Sequence, residues 1–143
     1  MKTAAAILLS AALLGGEADP LISRDLRCLA DAVYWETRGV EAQGASLVAD
    51  VVMNRVGHQE FPDSVCAVVL QPHQFAAAVA RNYPILEPDA YEDSMSIAVN
   101  AYMAEERDHD ALFFINASIG VPNWARSLAF VTQAGDHVFM TIR

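Results

Sequence analysis

The residue of this chain that is best placed to carry chemistry is a glutamate, Glu36, on the apolar side of a predicted helix. At 100° per residue, positions 22–38 form one apolar stripe, and Glu36 falls near its centre, away from the charged face. The stripe consists of Ile22, Leu26, Leu29, Ala32 and Val33. Burial raises the pKa of a carboxyl group, so a glutamate in such a place can act as a general acid near neutral pH. A glutamate that only holds a structural partner, for instance Arg55, fits the same spacing equally well.

The sequence lacks the motifs of several other enzyme classes. Residues 44–48 lack the second glycine of a nucleophile elbow, and the four histidines form no HExxH or HxH pair. No glycine-rich phosphate loop is present. The polar segment 107–110 is interpreted as a solvated connector rather than a cation site, so we predict neither a metal nor a cofactor. One well-placed glutamate without a cofactor suits polysaccharide cleavage, where protonation of the glycosidic oxygen is the main demand.

Residues 1–18 have the organisation of a secretory signal peptide. Lys2 supplies a positive start, positions 4–14 form an apolar run, and residues 16–18 include small side chains for cleavage. We therefore expect export to the periplasm, the cell wall or the extracellular space, with a single domain over residues 19–143. That length supports one hydrophobic core, and we expect no stable membrane insertion after cleavage of the signal peptide.

The charge of the chain limits the classes of partner. After the predicted cleavage, the chain carries eight arginines, no lysine and 17 acidic groups, which keeps the net charge at −9. A nucleic-acid partner is not expected, because a phosphate-binding surface needs a basic patch. The charge also provides no long-range attraction to an anionic wall polymer, so binding of such a polymer would depend on local contacts.

The chain contains two cysteines, Cys28 and Cys66. In an exported protein, an even pair favours a disulfide over two free thiols. Cys28 is better explained in this way than as the nucleophile of a peptidase that uses His137. We therefore predict a bridge between the first helix and a later segment.

Hydrophobic periodicity predicts a mostly helical α+β chain with a small C-terminal β-hairpin. The predicted helices are 22–38, 41–56, a short helix after Ser64, and 89–107. The predicted strands are 111–115, 128–132 and 137–142. Residues 133–136, between the last two strands, are typical of a hairpin turn.

Three side-chain environments have two interpretations each. The polar line Ser46, Asp50 and Asn54 is interpreted as a solvated helix face, with the wall of a cleft as the alternative. Arg55 falls among apolar positions, so we expect a buried acceptor, with extension to solvent as the alternative. Trp124 lies in a predicted loop, where it could stack on a sugar ring or serve as ordinary core filler.

Residues 29–56 resemble the SleB/CwlJ-type cell-wall hydrolases. This segment, LADAVYWETRGVEAQGASLVADVVMNRV, follows the family pattern LA-x-x-(I/V)-Y-x-E-(A/T)-R-G, with NRV closing the next helix. The resemblance continues through the segments 61–66, 74–75, 111–114, 122–125 and 135–139. It therefore spans most of the chain after the predicted signal peptide.

The resemblance implies a lysozyme-like fold, peptidoglycan as substrate and partner, and Glu36 as the catalytic acid. It also suggests that four further residues contact substrate in the groove of Glu36, namely Trp124, His137, Asn54 and Tyr34. We expect a monomer.

The number of carboxylates bears on the expected reaction. Ordinary glycosidases need two, whereas a lytic transglycosylase needs one. Glu36 has a clear position on its helix. The candidates for a second catalytic carboxylate have no such support from the sequence, and they are Asp50, Asp108, Asp110 and Asp136. Relatives of the family also point to transglycosylation, so we favour cleavage between N-acetylmuramic acid and N-acetylglucosamine by a lytic transglycosylase. The alternatives are a non-catalytic wall-binding module and a peptidoglycan amidase or peptidase.

Overall fold

The computed structural model describes residues 19–38, 42–72, 75, 79 and 81–143. The predicted signal peptide, the start predicted at residue 41 for the second helix and position 74 of the family-like segment 74–75 lie outside the described residues. The helices are α1 (Pro20–Thr37), α2 (Ala42–Val56), α3 (Val65–Val69) and α4 (Pro88–Met103). The strands are β1 (Phe113–Asn116), β2 (Ala129–Ala134) and β3 (His137–Thr141).

Helix α1 begins two residues earlier than the hydrophobic pattern predicts, because Asp19 caps it. The Asp19 side chain accepts hydrogen bonds from the backbone N–H groups of Leu21 and Ile22, at 2.8 and 3.4 Å. Pro20 follows at the first helical position, where its missing N–H has no cost. The apolar stripe predicted for this helix is buried along its whole length.

The main core is formed by α1 packed against α2, α3 and α4. Its fully buried members include Leu29 and Val33 of α1, Val52 of α2 and Val68 of α3. Small residues of α4, such as Ala98, allow close approach of the helices. This arrangement confirms the prediction of a mostly helical chain and makes α1 the central element.

A disulfide joins Cys28 of α1 to Cys66 of α3, with their Cα atoms 5.3 Å apart. The same junction is strengthened by Asp25, whose carboxylate accepts a hydrogen bond from the Cys66 N–H at 3.3 Å. Ser64 caps α3 by accepting from the Ala67 N–H. The short helix is therefore attached to α1 by a covalent bond as well as by packing.

The C-terminal strands form an antiparallel sheet in the order β1-β3-β2. The predicted hairpin is β2 and β3, joined at Gly135, whose φ of 55° is available to glycine at little cost. Strand β1 pairs with the other side of β3 and extends the hairpin to three strands. The expected α+β, mostly helical class is confirmed.

The two faces of the sheet pack against different elements. Phe139 and its cross-strand neighbour Phe114 pack on α2. The opposite face, with Ile115 and Met140, is covered by Ala125 of the 3₁₀ helix Asn123–Ser127. Side chains of the sheet are thereby divided between an inner face toward α2 and an outer face toward this 3₁₀ helix.

Helix α4 ends at Met103 rather than at the predicted residue 107. The backbone turns extended at Ala104 (φ −65°, ψ 134°), while its N–H still bonds to the Asn100 carbonyl at 3.0 Å. Within the part of the chain that the structure describes, no helix has the length and hydropathy to cross a membrane.

Candidate active site

Glu36 lies in the last turn of α1, at the edge of the core. Ala32 and Val33, one turn earlier on the same side, are completely buried, whereas Glu36 is half-buried. The helix therefore directs this carboxylate along the core-facing stripe but ends before closing it off from solvent. Such a position combines partial desolvation with access for a substrate.

Tyr34 is buried, with its hydroxyl donating to the Glu87 carboxylate and accepting from the Glu87 N–H at 3.3 Å. Residues two apart on a helix point about 200° from each other, so Tyr34 projects away from Glu36. Its polar atom is engaged within the protein and holds α1 to the segment before α4.

The side chain of Asn54, near the C-terminal end of α2, is also hydrogen-bonded within the protein. Its Nδ2 donates to the carbonyls of His109 (2.9 Å) and Ala111 (3.0 Å). It lines a pocket of about 580 Å³ together with Arg107 and Thr141. Asn54 lies about 18 Å along the helix axis from Ala42, given a rise of 1.5 Å per residue. Its observed role is to fix the segment that leads into β1.

The interpretation of the polar line on α2 as a solvated face holds for Ser46, which is exposed, but is wrong for Asp50. Asp50 is 7% exposed, and its carboxylate lies 3.9 Å from Nε2 of His109. Burial raises the pKa of Asp50, opposed by the nearby His109 and Arg107. Asp50 and Asn54 are covered because the segment that follows α4 folds back over this part of the helix.

The interpretation of residues 107–110 as a solvated connector holds for Asp108 and Asp110, which are exposed, but not for His109. The His109 side chain is only 4% exposed, and its Nδ1 accepts from the Ala111 N–H at 3.0 Å. Among the described residues, no group of three or more histidine, cysteine or acidic side chains is arranged to hold a metal ion.

His137 and Trp124 lie on opposite faces of the sheet. His137 is buried on the inner face, with its ring 5.8 Å from Phe114, and burial lowers its pKa. Trp124 is 54% exposed and contacts the outer face, with its ring centre 6.2 Å from that of Phe113. The interpretation of Trp124 as core filler is thus not supported.

Arg55 occupies an aromatic cage between α2 and β1. Its guanidinium carbon lies 4.9, 5.4 and 5.5 Å from the ring centres of Phe61, Phe75 and Phe113. Its Nε donates to the Leu112 carbonyl at 2.7 Å, which confirms the predicted buried acceptor. Burial lowers the pKa of Arg55 to about 10, so the side chain stays charged at neutral pH. The sequence signal was an arginine on an apolar face, but two of the three rings, Phe75 and Phe113, come from later segments of the chain.

We expect Arg55→Lys to lower the free energy of unfolding by about 1–2 kcal/mol. Lysine keeps the charge but loses the planar stacking and the Nε bond to the Leu112 carbonyl. Urea unfolding monitored by circular dichroism measures the change, and the exposed Arg126→Lys serves as the matched control. Equal unfolding midpoints for the Arg55 variant and the wild type would contradict a stabilising role of the cage.

Comparison with known proteins places this arrangement in a family. A family model described as Cell Wall Hydrolase matches residues 39–140, beginning three positions after Glu36. The chain is 33% identical over 116 residues to a spore cortex-lytic enzyme of Oceanobacillus iheyensis. It is 30% identical over 117 residues to that of Bacillus subtilis. These alignments cover 80% and 82% of this chain but 41% and 37% of the relatives, so the chain spans about two fifths of their length.

Two solved structures are similar to the fold. The catalytic domain of the germination-specific lytic transglycosylase SleB from Bacillus anthracis aligns with a TM-score of 0.71 and 30% identity. That alignment covers 82% of this chain and 93% of the solved domain. The catalytic domain of the Bacillus cereus SleB protein gives a TM-score of 0.72 at 29% identity, covering 83% and 91%. With a family model matching most of its residues and with these relatives, the chain belongs to the cell wall hydrolase family.

Proposed function

We propose that this protein cleaves the glycan strands of peptidoglycan as a lytic transglycosylase, with Glu36 as general acid and then base. The observation that carries the proposal is the similarity to a lytic transglycosylase catalytic domain, of which 93% aligns with this chain. The described fold thus corresponds to a catalytic unit rather than to an accessory segment of the longer relatives.

The position of Glu36 supports its assignment as the acid. It is half-buried at the end of a helix whose preceding turn contributes the fully buried Ala32 and Val33, so its carboxylate is carried by a rigid element. Sites built on helices orient catalytic groups more reliably than sites on loops.

The proposed reaction needs no second carboxylate. Glu36 protonates the glycosidic oxygen as the bond between C1 of N-acetylmuramic acid and that oxygen breaks. The C6 hydroxyl of the same sugar then bonds to C1, and the Glu36 carboxylate takes the hydroxyl proton. The products are a 1,6-anhydro end and a free N-acetylglucosamine end, and the glutamic acid is regenerated.

The surroundings of Asp50 weigh against this residue as a second catalytic carboxylate. Asp50 is buried beside His109, on the part of α2 that faces the segment after α4. A glycosidase base must reach a water on the sugar, and a carboxylate in this packed position is poorly placed for that task.

Among the predicted substrate contacts, Trp124 fits a sugar-binding role best. Its ring is exposed, and aromatic faces stack on the apolar faces of sugar rings. His137 is proposed as a contact on the inner side of the sheet. Tyr34 and Asn54 contribute mainly by holding the surrounding elements, since their polar atoms bond to Glu87 and to backbone carbonyls.

The proposed substrate agrees with the expected location outside the cytoplasm. A signal peptide at residues 1–18 and a single domain over residues 19–143 would deliver a monomeric enzyme to the periplasm, cell wall or extracellular space. Peptidoglycan is then the partner, and no cofactor is needed.

Mass spectrometry of fragments released from purified peptidoglycan tests this proposal. We expect muropeptides lighter by one water than those from a hydrolase, because the anhydro ring replaces the reducible end. Reducible ends of normal mass would rule out the transglycosylase. Cleaved stem peptides would indicate an amidase or peptidase, and binding without released fragments would indicate a wall-binding module.

A further inference from the structure

The last turn of α1, which carries Glu36, is held on one face by the segment that leads into α4. The Glu87 carboxylate accepts a hydrogen bond from the Tyr34 hydroxyl through Oε2. It accepts another through Oε1 from Nη2 of Arg38, at 2.7 Å. Glu87 immediately precedes Pro88, the first residue of α4. One carboxylate therefore connects the end of α1 to the start of α4.

Aromatic rings restrict the two donors of this carboxylate. The guanidinium carbon of Arg38 lies 5.2 Å from the ring centre of Trp35 and 5.6 Å from that of Tyr34. Tyr83 packs edge-on against Trp35 at 6.4 Å, and Tyr91 packs against Tyr34 at 5.8 Å. Because the rings limit the rotamers of both donors, little further entropy is lost when they bond to the carboxylate.

The helical geometry relates this contact to Glu36. Arg38 directly follows α1, four residues after Tyr34, and its guanidinium contacts the Tyr34 ring, so the two side chains lie on the same side of the helix end. Glu36 lies between them in sequence, about 200° around the helix from each. We propose that Glu87, acting through Tyr34 and Arg38, is a positioning residue that fixes the orientation of Glu36. This inference rests on the proposed function.

The role expected of Glu87 is positional rather than general stabilisation of the fold. The middle of α1 is already held by its buried stripe and by the Cys28–Cys66 bridge. The side chains of Arg38 and Glu87 are 42% and 46% exposed, and exposed ion pairs contribute little to stability. Proton transfer, in contrast, depends steeply on the placement of the acid relative to the scissile oxygen.

The test compares kcat and KM of Glu87→Ala with those of the wild type on soluble peptidoglycan fragments. We expect kcat to fall about tenfold because the end of α1 gains freedom, with KM within about twofold. Glu87→Gln should lie between the two, because its amide oxygen can accept only one of the two bonds. Glu92→Ala removes an equal charge from an exposed position on α4 and should retain wild-type kinetics.

The pH profile separates positioning from titration. The hydrogen bonds from Tyr34 and Arg38 lower the pKa of Glu87, so the contact is lost only as pH falls through that lowered value. Between about pH 5 and 8, Glu87→Ala should therefore lower kcat by the same factor at every pH. The midpoint of the pH–rate profile should not move. A moved midpoint would overturn the inference, because it would show an electrostatic effect on the acid.

A kcat for Glu87→Ala equal to that of the wild type would also overturn it. If the alanine variant fails to fold, Glu87→Gln and Tyr34→Phe serve as the test, and each should lower kcat with its melting temperature retained. The effects of Tyr34→Phe and Glu87→Ala on kcat should be non-additive, because both substitutions remove the same hydrogen bond between Tyr34 and Glu87. A wild type that cleaves no glycan strands would refute the proposed function itself, and the positioning role with it.

Discussion

Glu36→Gln is expected to lower the rate of glycan-strand cleavage by about 10²-fold or more while leaving the fold intact. The amide has nearly the size of the carboxyl group but cannot deliver a proton to the leaving oxygen or remove one from the C6 hydroxyl. Positioned acid–base groups are typically worth about 10²–10⁴-fold in rate. Because the two side chains have nearly the same size, the substitution opens no cavity.

Release of muropeptides from purified peptidoglycan over time measures this effect, with circular dichroism and thermal melting as the check on folding. Glu92→Gln provides the matched control, since it makes the same chemical change at an exposed position on α4. Near wild-type cleavage by a folded Glu36→Gln protein would remove Glu36 from the mechanism.

Simultaneous replacement of Cys28 and Cys66 by alanine is expected to lower the free energy of unfolding by about 3–4 kcal/mol. The bridge links residues 38 apart, and opening a loop of that length restores much of the conformational freedom of the unfolded chain. Because Cys66 is buried, some packing between α1 and α3 is lost as well.

Guanidinium unfolding of the oxidised wild type, the reduced wild type and the double variant measures this contribution. The reduced protein and the double variant should have similar midpoints, both below that of the oxidised protein, and reductant should leave the double variant unchanged. Less than about 1 kcal/mol between the oxidised and reduced forms would contradict the entropic account.

Local sequence patterns were sufficient for the helical framework of this protein. The apolar stripe of α1 requires a buried partner surface, and Asp19-Pro20 provides a helix start that depends only on neighbouring residues. An even pair of cysteines in a chain with a signal-like start indicated the disulfide. Arg55 on an apolar helix face indicated a buried acceptor, because a guanidinium seldom enters a core without one.

Tertiary structure decided how distant side chains meet. Asp50 and His109 are in contact only because the segment after α4 folds over α2 and buries this part of its polar face. Trp124 and His137 are separated by the sheet, since the register of β1 and β3 assigns their neighbours to opposite faces.

The contacts of Glu87 also form only in the tertiary structure, and no local sequence pattern indicates a role for this residue. Glu87 precedes a proline-initiated helix and carries no periodic signal, yet it meets Arg38 across 49 positions of the chain. Periodicity and capping depend on residues a few positions apart. Such local patterns are enough to predict the side of α1 from which Glu36 projects. Glu87, which we propose holds that direction, directly precedes α4, and its approach depends on how α1 and α4 pack against each other.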